Sequence, residues 1–224
     1  MTSIQNLDGY ATTASCARAG FPAVRYPSAA SFFDAYAQQA AKAADSLDPS
    51  ALDKAAEILL TAYSSGANVF SCGNGGSAAI ANHFQCDHVK GVRTMTDLAP
   101  RVLSLNTNIE LVTAIANDIG YEDVFAYQLE SLAAPGDVLI AISSSGRSPN
   151  IVRAIMWARQ HDLRTIALTG FDGGDARLAA DVSIHVDGVN YGIIEDTHQE
   201  IMHALAQYIR QSRMSADTIS ESVF

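Results

Sequence analysis

The sequence of 224 residues has no CxxC pair, no Lys/Arg-rich run, no long apolar stretch and no nucleotide-loop signature, and each absence removes a class of function. Its three cysteines, Cys16, Cys72 and Cys86, are odd in number and widely separated. That argues against a disulfide framework and a cysteine-built zinc site, and fits a reducing compartment. With a net charge of −10 and no basic cluster, the electrostatic footprint of a nucleic-acid binder is missing, so no direct nucleic-acid partner is expected. Nothing approaches the roughly 18 consecutive apolar residues of a membrane span. The opening segment lacks the basic start and apolar block of a leader. The expectation is a cytoplasmic protein that does not enter a membrane. Neither a Lys-Ser/Thr pair after a glycine loop nor a G-x-G-x-x-G run occurs, which disfavours nucleotide hydrolysis and nicotinamide chemistry.

What is present is apolar material in quantity: 48% hydrophobic against 17% charged residues, enough for a core in one domain. Residues 1–28 are polar and broken by Pro22 and Pro27, and read as an arm; 29–212 read as the domain and 213–224 as a tail. Phe32, Phe33, Tyr36, Ala40 and Ala43 recur at helical spacing, and Asp48-Pro49 restarts a second helix toward Tyr63. Short apolar runs then alternate with helical segments. The strand candidates are Val69 to Cys72, Arg101 to Leu105, Val138 to Ile142, Thr165 to Leu168 and Val182 to Val186, and a long amphipathic helix runs from about Ile193 to Arg210. Strand and helix in alternation predict an α/β three-layer sandwich with a five-stranded parallel sheet, opened by a helical pair.

Ligands of open parallel sheets sit beyond the carboxyl ends of the strands, and two such turns are unusual here. The first strand runs into Gly73-Asn74-Gly75-Gly76-Ser77. Its glycines allow close backbone approach and Ser77 stands at a helix start, a setting for an anion, although the same residues suit a tight turn and helix cap. The third strand runs into Ser143-Ser144-Ser145-Gly146-Arg147-Ser148-Pro149-Asn150. One serine can cap the helix and Pro149 suits its first turn, but Ser143, Ser144, Ser145 and Ser148 together exceed what capping needs. An acidic chain that binds phosphate must rely on such local donors, so a small phosphorylated ligand is the expectation.

His83 and Asp87 share one face of the helix after the first loop; Glu195, Gln199 and His203 are spaced by four on the last helix. Two helices can thus present imidazoles and carboxylates to one cleft, a set for proton transfer or zinc, while the same spacing also fits surface ion pairs. His88 is expected at the surface, His185 as a structural strand residue, His198 as at most an indirect supporter of the site, Lys90 in solvent and Cys86 as a small buried hydrophobe.

Five blocks, CGNGGSAAIANHF (72–84), TAIANDIGYEDVF (113–125), GDVLIAISSSGRSPNI (136–151), IALTGFDGG (166–174) and EDTHQEIMH (195–203), make the chain resemble the sugar isomerase (SIS) domain superfamily, and within it the bacterial phosphoheptose isomerases. The resemblance implies a flavodoxin-like SIS fold and an aldose–ketose isomerase that takes sedoheptulose 7-phosphate to a heptose 7-phosphate through an enediol, for surface polysaccharide. It implies a phosphate held by Ser77, Ser143, Ser144, Ser145 and Ser148, with Asn74 and Gly75 in the first loop, and a homotetramer. It implies Zn2+ on His83, Asp87, Glu195 and His203, with Asp87 as base, His203 as acid/base partner and Glu195 also beside the substrate. Three positions depart from the family: Asp87 replaces a Glu, Glu195 a Gln, and Asn108 an Asp that contacts the sugar. A non-catalytic phosphosugar-binding regulator, or an adaptor of a replication initiator, is the other reading of the same fold.

Overall fold

Local signals start and stop the helices. In the computed structural model, which describes residues 20–224, Ser28 caps α1 (Ala29–Asp45) by accepting from the Ser31 N–H at 3.1 Å. Asp48 accepts from Ser50 N–H ahead of Pro49, the first residue of α2 (Pro49–Ser65), which closes on Gly66 in the left-handed region at φ 76°. Then come β1 (Asn68–Gly73), α3 (Gly76–Cys86), a π-helical turn (Asp87–Val92), β2 (Arg101–Ser104), α4 (Ile109–Asp118), α5 (Ala126–Leu132), β3 (Val138–Ser143) and α6 (Pro149–Gln160). The chain continues with β4 (Arg164–Thr169), α7 (Gly174–Ala179), β5 (Val182–His185), α8 (Tyr191–Gln211) and α9 (Ala216–Glu221).

The strands pair in parallel in the order β2-β1-β3-β4-β5, with Val69 opposite Val138, Ile140 opposite Ile166 and Ile166 opposite Val182. Every residue of β3 is buried, as a central parallel strand covered on both faces requires. Alternate side chains divide between two cores. Val69, Ile140, Ile166 and Ile184 pack with α2, α3 and α8, while Phe70, Leu139, Ala141 and Ala167 pack with α4 to α7. These are the three layers expected.

The order reverses direction at β1, whose neighbours β2 and β3 follow it in the chain. The crevice beyond the ends of β1 and β3 is therefore the topological switch point where this architecture receives ligands. Both unusual loops leave from these two strands.

Of the N-terminal arm, residues 1–19 lie outside the described residues. From Gly20 onward the arm is tied down: the Asn190 amide donates to Phe21 O at 2.9 Å, and Phe21 packs on Phe32 and Tyr36. The tail carries α9, six residues too short to show a periodicity, and Arg210 reaches it at Val223 O (3.2 Å) and over the Phe224 ring. Among the described residues no helix is long and apolar enough to cross a membrane.

Candidate active site

Close backbone contacts dictate the shape of both loops. A Cβ on Gly73 would lie 2.5 Å from backbone atoms of Ser77, so only glycine lets β1 turn directly into α3. Asn106, just beyond β2, clamps that glycine: its amide donates to Gly73 O at 2.8 Å and accepts from Gly73 N–H at 3.1 Å. Asn74 and Asn150 exchange two amide hydrogen bonds of 2.9 Å each, and Tyr121 O–H adds a third to Asn74 at 2.9 Å. Asn150 is buried, so the first loop is bolted to the second through an amide pair sheltered from water. The serine loop is in turn docked on the turn after β4, with Gly170 N–H donating to Ser144 O (2.8 Å) and Ala176 N–H to Gly146 O (2.9 Å).

Between the loops lies a cleft of about 670 Å³ lined by Asn74, Ser77, Ser143, Ser144, Ser145, Arg147, Ser148, Tyr191 and Glu195. The serines divide by role. Ser143 and Ser145 hydroxyls accept from the Gly146 and Arg147 N–H groups and so support the turn. Ser148 precedes α6 without capping it through its side chain, and the Ser144 hydroxyl is buried with no hydrogen-bond partner. Ser145 and Ser148, which both line the cleft, are the two serines of this loop that stay partly exposed. Glu195 rises from α8 against the first turn of α3, where a Cβ on Gly76 would come 2.3 Å from its Oε2. Burial, and then the neighbouring Asp196, push its carboxyl above the usual range.

Further along the same two helices, His83, Asp87 and His203 converge. Asp87 Oδ1 is 3.2 Å from His83 Nε2 and Oδ2 is 3.5 Å from His203 Nε2. One potential ligand atom from each residue lies within 4.8 Å of the others, so the group can hold a metal ion. Asp87 stands where α3 widens into the π turn, a local geometry frequent at functional sites. Glu195, expected as a fourth ligand, is not in this group, because it sits two turns of α8 before His203 and leans on Gly76. Gln199, one turn before His203, is the α8 side chain that meets the two histidines: its Nε2 is 2.9 Å from His203 Nε2 and 3.4 Å from His83 Nδ1.

Other expectations need correction or placement. His88 is not a surface residue. It is fully buried, stacked on Phe84 with its Nδ1 2.7 Å from Tyr63 O–H, because the change from α to π winding at Asp87 alters the face each following residue takes. Cys86 is exposed rather than buried. His198 is buried beneath β4, with Nε2 3.2 Å from Thr169 O, and His185 lies 3.0 Å from Thr169 Oγ1 in β5. Lys90 is exposed. Asn108 is exposed, caps α4 by accepting from Leu111 N–H at 2.9 Å, and is not among the residues lining the cleft. Asn106 and Tyr121 are the residues that motif reading passes over, while Gln199 stands on the face that the spacing by four marks out. A polar amide just past the end of a strand is the one signal that points to Asn106.

A family model described as SIS domain matches residues 31–170. A phosphoheptose isomerase of Colwellia psychrerythraea is 40% identical over 170 residues, 75% of this chain and 86% of that protein. One from Alteromonas mediterranea is 37% identical over 178 residues, 78% and 89% respectively. Among solved structures, the phosphoheptose isomerase GmhA from Neisseria gonorrhoeae superposes with a TM-score of 0.74 at 34% identity. A phosphoheptose isomerase from Francisella tularensis gives 0.75 at 31%; each comparison covers 81% of this chain and 96% of the other.

Proposed function

The chain belongs to the SIS-domain family, and on that footing we propose that it is an aldose–ketose isomerase converting sedoheptulose 7-phosphate to a heptose 7-phosphate. The observation that carries the reading is that one pair of packed helices, α3 and α8, bears both halves of the chemistry. At their N-terminal ends Ser77 and Glu195 face the serine cleft, and further along His83, Asp87, Gln199 and His203 meet. Ser77 and His83 are six residues apart on α3, roughly 9 Å along the axis, the scale of an extended seven-carbon chain with phosphate at one end and the reacting carbons at the other.

In this reading the phosphate takes the partly exposed Ser145 and Ser148 hydroxyls and the N–H groups at the start of α3 and α6. Asp87 removes the C1 proton of the ketose and returns it at C2, and His203 exchanges protons with O1 and O2, so the enediol forms and collapses without net loss of a proton. Aspartate is one methylene shorter than glutamate, and its place on the π turn is what brings it between the two imidazoles. Glu195, whose carboxyl pKa is shifted upward by burial and then by Asp196, serves the substrate side as a hydrogen-bond partner. Two imidazoles and a carboxylate suit zinc, which His83, Asp87 and His203 would hold; bound there, it supplies a Lewis acid for the sugar oxygens. A homotetramer belongs to the same reading: an interface would cover Phe33, 67% exposed on α1, and sedimentation velocity measures it.

The test is turnover of sedoheptulose 7-phosphate with and without added zinc, in the parent and in Asp87→Asn and His203→Ala. Activity in the parent that both variants lose supports the isomerase. Binding without turnover, unaltered in the variants, refutes it in favour of a non-catalytic phosphosugar regulator.

A further inference from the structure

A phosphate dianion in the serine cleft would enter a chain of net charge −10 and meet hydroxyls and N–H groups that carry no formal charge. Among its lining residues the single cation is Arg147 and the single carboxylate is Glu195. Arg147 is fixed at two points. Its side-chain stem lies over the turn after β4, where a Cβ on Gly174 would come 2.7 Å from Cγ, and its Nη2 donates to the carboxylate of Asp172. Its Nε and Nη1 have no hydrogen-bond partner among the described residues, although the side chain is 60% exposed. An exposed pair of this kind contributes little to folding. What it does is hold a planar fork of donors beside the serine cleft, with Nε and Nη1 left to donate.

We infer that Arg147 supplies the counter-charge for the substrate phosphate and that Asp172 positions it. The inference rests on the serine cleft being the phosphate site. Serine hydroxyls recognise the shape of the phosphoryl group, and the guanidinium distinguishes it from a neutral sugar terminus by charge. The docking of the serine loop through Ala176 N–H to Gly146 O keeps Arg147 and Asp172 in register.

Calorimetric titration with inorganic phosphate and steady-state kinetics on sedoheptulose 7-phosphate, at low and moderate NaCl, test this in the parent, Arg147→Ala, Arg147→Lys and Asp172→Ala. Arg147→Ala weakens phosphate about tenfold, as loss of a charge-assisted contact requires, and raises KM while kcat is kept. It also flattens the salt dependence seen in the parent. Arg147→Lys recovers part of the affinity because charge returns without the fork. Asp172→Ala weakens binding less, about threefold. Equal phosphate affinity and salt dependence in the parent and Arg147→Ala overturn the inference alone, whereas a parent that binds no phosphate overturns the reading of the cleft and the inference with it. Weakening in Arg147→Ala but not in Asp172→Ala removes the positioning role of Asp172.

Discussion

Lowering the pH from 7 to 5 in the presence of a chelator costs the fold about 4 kcal/mol through two histidines, His88 and His198. Both side chains are fully buried, and burial pulls the pKa of His88 down to about 3 and that of His198 down to about 4. His198 is shifted less because its contact with the Thr169 carbonyl favours the charged ring. In the unfolded chain each ring takes up a proton near pH 6.5, while in the folded chain it stays neutral until far lower pH. The stability both provide is therefore complete above pH 6.5 and declines as pH falls toward the folded values. At about 1.4 kcal/mol per pH unit, each loses roughly 2 kcal/mol by pH 5, a large part of a typical domain's stability. Asp97 and Asp172, held below the usual carboxylate range by Arg213 and Arg147, titrate under this window, and Glu195, shifted upward, acts in the opposite sense. Variants therefore isolate the histidines better than the total does. Urea unfolding followed by circular dichroism at pH 7.5, 6.5, 5.5 and 5.0 measures the slope in the parent, His88→Gln and His198→Gln. Glutamine at 88 can still meet Tyr63 O–H but cannot titrate, so each variant flattens the slope by about one proton. Equal slopes in all three proteins, or imidazole resonances of His88 that titrate between pH 6 and 7, refute the reasoning.

Asn150→Ala removes both arms of its amide pair with Asn74 and costs about 2 kcal/mol in thermal melts. It also raises KM, because the two loops lose their link. Gly146→Ala, at φ 64° with its Cβ 1.9 Å from Gly173 O, forces the serine loop off its support. Phosphate binding is lost by calorimetry while far-UV circular dichroism stays that of the parent. The parent, dialysed against zinc, carries stoichiometric metal by elemental analysis and melts at a higher temperature than after chelation; His83→Ala and His203→Ala lose both properties.

The strands read directly from the chain because each is a short apolar run closed by turn residues, and a central parallel strand has no polar face to interrupt the run. β3, buried at every position, is the clearest case. The loops read equally well as turns: glycine and serine clusters follow β1 and β3 directly, and a Cβ on Gly73 would meet the backbone of Ser77. His88 reads wrongly because its face depends on a π turn that interrupts the helical periodicity from Asp87 onward. α9 escapes notice because six residues make fewer than two turns.

The metal group shows where the division falls. Spacing by four places Glu195, Gln199 and His203 on one face of α8, and His83 and Asp87 on one face of α3. The sequence by itself determined that chemical inventory, the parallel sheet and the two glycine- and serine-rich turns that follow β1 and β3. Only the tertiary structure decided that Gln199 meets the histidines while Glu195 turns to the cleft, that Asn150 bolts the loops together, and that Arg147 lies on Asp172. Which side chains meet across two helices or two loops depends on their relative shift and rotation. Packing over the whole interface sets these, and no local pattern along the chain carries that sum.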